Sequence, residues 1–168
     1  MTTGRADLVF EYGDPGDVVL VGNWDGDTST AGAPATVTTD TLMVRRGDRY
    51  FVKNTTTTGI ADYDFLFGAP GDAVLVGDWA TPPAAGVVGE SGDYADQLAV
   101  RRGNAYFLSD EVWRASSRRT GHGLATRTAF LYGEPTDTAF TALLERRYTS
   151  DSGAVTLYGD GLGVRRNG

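Results

Sequence analysis

The sequence predicts an all-β protein: one domain over residues 1–168, made of three repeated units. Three observations predict it. The phrase FEYGDPGDVVLVGNW (Phe10 to Trp24) returns as FLFGAPGDAVLVGDW (Phe65 to Trp79) and, eroded, as FLYGEPTDTAFTALL (Phe130 to Leu144). A second phrase follows each copy: LMVRRG at Leu42, LAVRRG at Leu98 and LGVRRNG at Leu162. The spacing between the two phrases is nearly fixed, with Tyr12 to Val44 at 32, Phe67 to Val100 at 33 and Tyr132 to Val164 at 32. Duplicated units of this length bury their apolar faces against one another rather than each building a separate core. They run over roughly residues 6–56, 61–110 and 125–168.

Each unit reads as four short strands. In the first these are Leu8–Tyr12, Val18–Gly22, Thr41–Arg45 and Tyr50–Lys53. They are rich in Val, Leu, Phe and Tyr, and GDPGD, NWDGD and RGDR supply turn residues between them. In Val18–Gly22 apolar residues fall on both faces, which suits a strand packed between neighbouring sheets. No segment carries a sustained helical period, and Asp110–Ser117 (DEVWRASS) reads equally as a short helix or a loop. The stretches 27–40, 80–96 and 109–126 are connectors; the first two are small, polar and rich in Pro and Gly. Met1 leads directly into TTGRAD, the counterpart of TTGIAD at Thr57–Asp62, so no signal peptide is read and the sequence opens part-way through a unit. It stops at VRRNG, short of a strand like RYFV or AYFL, so the two ends are expected to meet in one sheet.

Composition bounds the chemistry. There is no cysteine, hence neither disulfide nor thiolate metal site, and the single histidine, His122, excludes a two-histidine site within one chain. A formal charge of −7 gives no long-range attraction for nucleic acid or an anionic membrane. No apolar run approaches the roughly 20 residues of a membrane-spanning helix.

The pattern of aromatic, Tyr-Gly-x-Pro-Gly-Asp, apolar strand, Gly-Asn/Asp-Trp and Val-Arg-Arg-Gly-x-x-Tyr-Phe resembles the FG-GAP/VCBS-like β-propeller repeats of secreted and surface proteins of bacteria, actinobacteria among them. The resemblance covers nearly the whole chain and is strongest in the first two units. It implies three four-stranded β-propeller-like blades, an extracellular or cell-surface location, and calcium held by an Asp-x-Asp-Gly-Asp loop. Only the first unit keeps much of that loop, as Asn23, Asp25, Gly26 and Asp27. Calcium needs six to eight oxygens, several from carboxylates, so Asn23, Asp25 and Asp27 make at best a weak site. Propellers have about four to eight blades. Three blades therefore imply either a longer protein or a homo-oligomer, with a dimer giving a six-bladed ring. A β-trefoil or β-prism with three-fold pseudosymmetry is the alternative fold.

Trp24 and Trp79 occupy one place in two units, either as platforms for a sugar or as packing between sheets. Trp113 lies in a connector without a repeat counterpart and is the better ligand candidate. His122 sits in GHG close in sequence to Arg118 and Arg119. A histidine without a paired nucleophile is weak evidence for catalysis, and nothing resembles a nucleophile elbow. Arg45/Arg46, Arg101/Arg102 and Arg165/Arg166 recur. Adjacent strand residues face opposite ways, so one of each pair should meet solvent and the other a neighbouring sheet; Asp7, Asp17, Asp62 and Asp72 are the partners in register. The sequence therefore points to a non-catalytic binding module for a glycan or surface polymer, or to a structural and protein–protein assembly repeat with no small ligand.

Overall fold

The computed structural model describes residues 4, 6–25, 40–79, 95–117, 120–150 and 153–166. Its described residues are all-β except for one 3-10 helix, Val112–Ser117. The first sheet is an antiparallel meander of β1 (Val18–Gly22), β2 (Thr41–Arg46), β3 (Arg49–Lys53) and β4 (Tyr63–Leu66). The second repeats it with β5 (Ala73–Gly77), β6 (Gln97–Arg102), β7 (Ala105–Ser109) and, from further along the chain, β9 (Thr126–Leu131). Between β7 and β9 lies the two-residue β8 (His122–Gly123), which adds to β4 in parallel. The third sheet is a hairpin of β10 (Thr138–Ser150) and β11 (Gly153–Arg165).

The first two strands of each sheet pair in the same register. Val19 pairs with Val44, Val74 with Val100, and Ala139 with Val164. Register is therefore set by the two repeated phrases, since a one-residue slip would turn every side chain to the wrong face.

Three expectations need correction. Leu8–Tyr12 forms no strand. Its counterparts β4 and the end of β9 do not open their own sheets; they close the preceding one, against β3 and β7. Among the described residues no strand pairs with Leu8–Tyr12. Glu11 instead donates its amide to Thr58 Oγ1 at 3.0 Å and accepts from the Gly59 amide. The sheet boundaries thus lie one strand later than the phrase boundaries. Finally, the ends do not share a sheet: among the described residues β11 has β10 as its one strand neighbour.

The core lies between the first two sheets. Trp24, Met43, Tyr50, Val52, Phe65, Phe67, Leu98 and Val100 are buried there. Val112 and Ala115, one helical turn apart, plug it from the 3-10 helix. Each such side chain stabilises by about 1.5–3 kcal/mol when fully removed from water. Leu20 of β1 and Val74 and Val76 of β5 pack against the same core. Alternation along the strand then fixes the faces. Leu20, Met43 and Arg45 point from the first sheet towards the second. Val19 and Val21 point the other way, to the open end of the array, and are 59% and 55% exposed.

Candidate functional site: the joints between sheets and the two end faces

The best-built polar feature is a joint that recurs with each unit. Its base is the turn of the first phrase. Gly68 has φ +71°, a left-handed conformation suited to glycine, and a Cβ there would lie 2.9 Å from a methyl of Val100. Ala69, Pro70 and Gly71 follow, and Asp72 Oδ2 then accepts the Ala69 amide at 2.9 Å. Asp17 does the same for Asp14, and Asp137 for Glu134, each at 2.9 Å.

The arginine pairs clamp these turns. The second arginine of each pair holds its own unit's turn through the carboxylate. Arg46 Nε lies 2.8 Å from Asp17, Arg102 grips Asp72 with two bonds of 2.9 Å, and Arg166 Nε lies 3.6 Å from Asp137. The first arginine crosses to the next unit and donates to backbone carbonyls. Arg45 reaches Asp72 O at 2.6 Å and Ala69 O at 3.0 Å; Arg101 reaches Asp137 O at 2.6 Å and Glu134 O at 2.8 Å. Each of these crossing arginines also covers a tyrosine ring, Arg45 over Tyr50 and Arg101 over Tyr106, at 5.5 Å. Those rings stack in turn on Phe65 and Phe130. The division into one solvent-side and one crossing arginine follows the strand alternation. Asp17 and Asp72 pair with the solvent-side arginine of their own unit rather than with the crossing one, which takes carbonyls, and Asp62 caps the Asn54 amide.

Arg102 bonding to Asp72, and Arg46 to Asp17, hold both carboxyls below the ordinary carboxylate range. A lowered folded-state pKa gives stability that is full above the unfolded value of about 4 and is lost as pH falls through the folded value. The destabilisation of Arg102→Gln is therefore expected to be largest at neutral pH and to shrink below about pH 4. Melting temperatures of both proteins across that range test this; a constant difference would remove the ion pair as its cause.

A second clip joins the sheets. Asp96 Oδ2 accepts the Asn23 amide at 2.8 Å, and the Asp96 amide donates to Asn23 O at 2.7 Å. Asp160 and Asp78 repeat this pair of bonds at 2.9 and 3.1 Å. Gly22 makes room for it: a Cβ there would stand 2.7 Å from the Asp96 carboxylate. Burial pushes the Asp96 carboxyl up, with the charges of Asp160 and Asp40 adding to the effect. Sequence reasoning missed this clip, although an aspartate precedes the second phrase in all three units, at Asp40, Asp96 and Asp160.

The sequence-predicted ligand residues do not converge. Trp24 is fully buried, with its indole N–H donated to Thr41 O at 3.2 Å, so no ring face is open for a sugar. Trp79 is half-buried, its ring against Gly77 and its amide bonded to Gln97 Oε1 at 2.7 Å. Trp113 is half-buried beneath the Arg114 guanidinium, 4.7 Å from its ring centroid. His122 is exposed in β8. Trp24 follows β1, at one edge of the first sheet, and β8 forms the other edge, about 15–20 Å away at ordinary strand spacing.

The predicted calcium loop is described only in part. Asn23 is buried with amide and carbonyl both bonded to Asp96; Asp25 is exposed; Asp27 lies outside the described residues. Among the described residues no group of three or more acidic or histidine side chains is placed to hold a metal ion. Calcium bound in this loop is expected to raise the melting temperature in millimolar calcium over that in chelator, with Asp25→Ala removing the rise; identical curves would remove the calcium reading.

Comparison with protein-family models, with curated proteins and with solved structures finds no match.

Proposed function

We propose that this chain is a non-catalytic assembly repeat, whose work is to join protein surfaces through the ends of its sheet array. One observation carries the reading. Val19 and Val21 are 59% and 55% exposed on the end face, while their counterparts Val74 and Val76 are partly covered inside the array. Adjacent apolar side chains left open on a face whose twin is an interface mark a surface made for a partner.

Glycan binding is the second reading, favoured by the partly open rings of Trp113 and Trp79. A glycan array read beside light scattering separates the two. The assembly reading expects association and no retained glycan. A monomer that binds a defined glycan, with binding abolished in Trp113→Ala, would overturn it in favour of the second.

A further inference from the structure

From the repetition of the joints we infer that the partner is a second copy of this chain, docked tail to head, with Arg165 of one copy seated in the Gly13–Asp17 turn of the other. This rests on the assembly reading above and names its occupant.

The interface already exists inside the chain. The first sheet meets the second with Leu20, Met43 and Arg45, and the second answers with Val74, Val76 and Leu98. By strand register, the outer face of the third sheet carries Phe140, Gly163 and Arg165 at the positions of Leu20, Met43 and Arg45. The outer face of the first sheet carries Val19, Val21 and Leu42 at the positions of Val74, Val76 and Leu98. One end of the molecule thus holds each half of a contact that the chain makes internally.

Exposure agrees. Leu98 is fully buried where Leu42 is only partly so, and Phe140 at the tail is 47% exposed. The Phe140 ring packs over Gly163, where a Cβ would come within 2.3 Å of it, so only a glycine leaves room for the ring.

The polar groups complement one another as well. Arg45 donates to two carbonyls of the following turn and Arg101 to three. Arg165, third in the series, is exposed, and among the described residues no turn receives it. The Gly13–Asp17 turn has the internal bonds of its two counterparts, yet no arginine from an earlier unit reaches it among the described residues. Asp40, exposed, adds a negative charge at the head, on the side from which Asp96 and Asp160 reach back. A head-to-tail contact is heterologous, so two copies satisfy both ends only by closing on each other.

Sedimentation of the wild type across micromolar concentrations is expected to give twice the 17.9 kDa chain mass. Val19→Asp blocks the head and Arg165→Glu blocks the tail; each alone is expected to be a folded monomer by circular dichroism. Their equimolar mixture is expected to recover the doubled mass, because the intact tail of one meets the intact head of the other. Val21→Lys replaces Val19→Asp should that protein fail to fold. Wild-type dimers that survive both substitutions, or variants that the mixture does not rescue, would overturn tail-to-head docking and leave the assembly reading standing. A folded wild-type monomer throughout the range would overturn both.

Discussion

Replacing Trp24 with alanine is expected to destabilise the protein by about 3–5 kcal/mol, the usual cost of deleting a large buried aromatic. For a chain of this size the melting temperature should drop by on the order of 10 °C. The indole is wholly enclosed among core side chains and its N–H is spent on Thr41 O. Deletion therefore opens a cavity and leaves a carbonyl short of a donor. Trp113→Ala provides the contrast. That ring is only half-buried and sits on the 3-10 helix at the rim, so its loss is expected to cost about 1 kcal/mol or less. Thermal melts of the two variants side by side decide the matter; equal shifts would show that Trp24 is not the anchor its burial implies.

Asp72→Ala is expected to be the second most damaging change, at about 2–4 kcal/mol, because a buried carboxylate with several donors is lost at once. Asp72 takes the Ala69 amide and both bonds from Arg102, and the turn it shapes presents the carbonyls that receive Arg45. Asp17→Ala removes the same cap from the first turn, which among the described residues receives no crossing arginine from within its own chain. Its effect is expected to be clearly smaller. Urea midpoints of the two variants give the comparison, and a larger effect at Asp17 would mean that the crossing arginine adds nothing.

Much of this architecture was legible in the chain. The strands at Val18–Gly22, Thr41–Arg46 and Arg49–Lys53 follow from β-rich phrases between strong turns, with ends within a residue of those expected. The opposite facing of each arginine pair followed from strand alternation alone. What the sequence concealed was partnership. A strand written at the start of a phrase, such as Tyr63–Leu66, pairs with whatever edge lies beside it, and that edge belongs to the sheet before. Nor did the recurring tryptophan declare its role, since Trp24 and Trp79 share one position but differ in cover: the first is sealed in the core and the second only half so. The 13-residue strands β10 and β11 were unforeseen for a related reason. The third unit departs from the others where their first phrases end, replacing Gly-Asn/Asp-Trp with Ala142, Leu143 and Leu144. A strand terminates where its pairing stops rather than at a signal written in it.

The crossing arginines read main-chain oxygen, and that bears on how such a chain can change over time. One receiving carbonyl in each turn belongs to an aspartate, Asp72 or Asp137 with Asp17 as counterpart, but the other belongs to Ala69 or Glu134 with Asp14 as counterpart, side chains that are a bare methyl, long and acidic, and short and acidic. A carbonyl is the same whatever side chain stands beside it. A lock keyed to carbonyls tolerates drift in the unit that receives it, and neighbouring units need not mutate in step. The third unit shows the result, having exchanged Gly-Asp for Thr-Asp in its turn while still receiving Arg101. Units joined this way are interchangeable parts, and a duplication that adds or removes one leaves every remaining joint able to close.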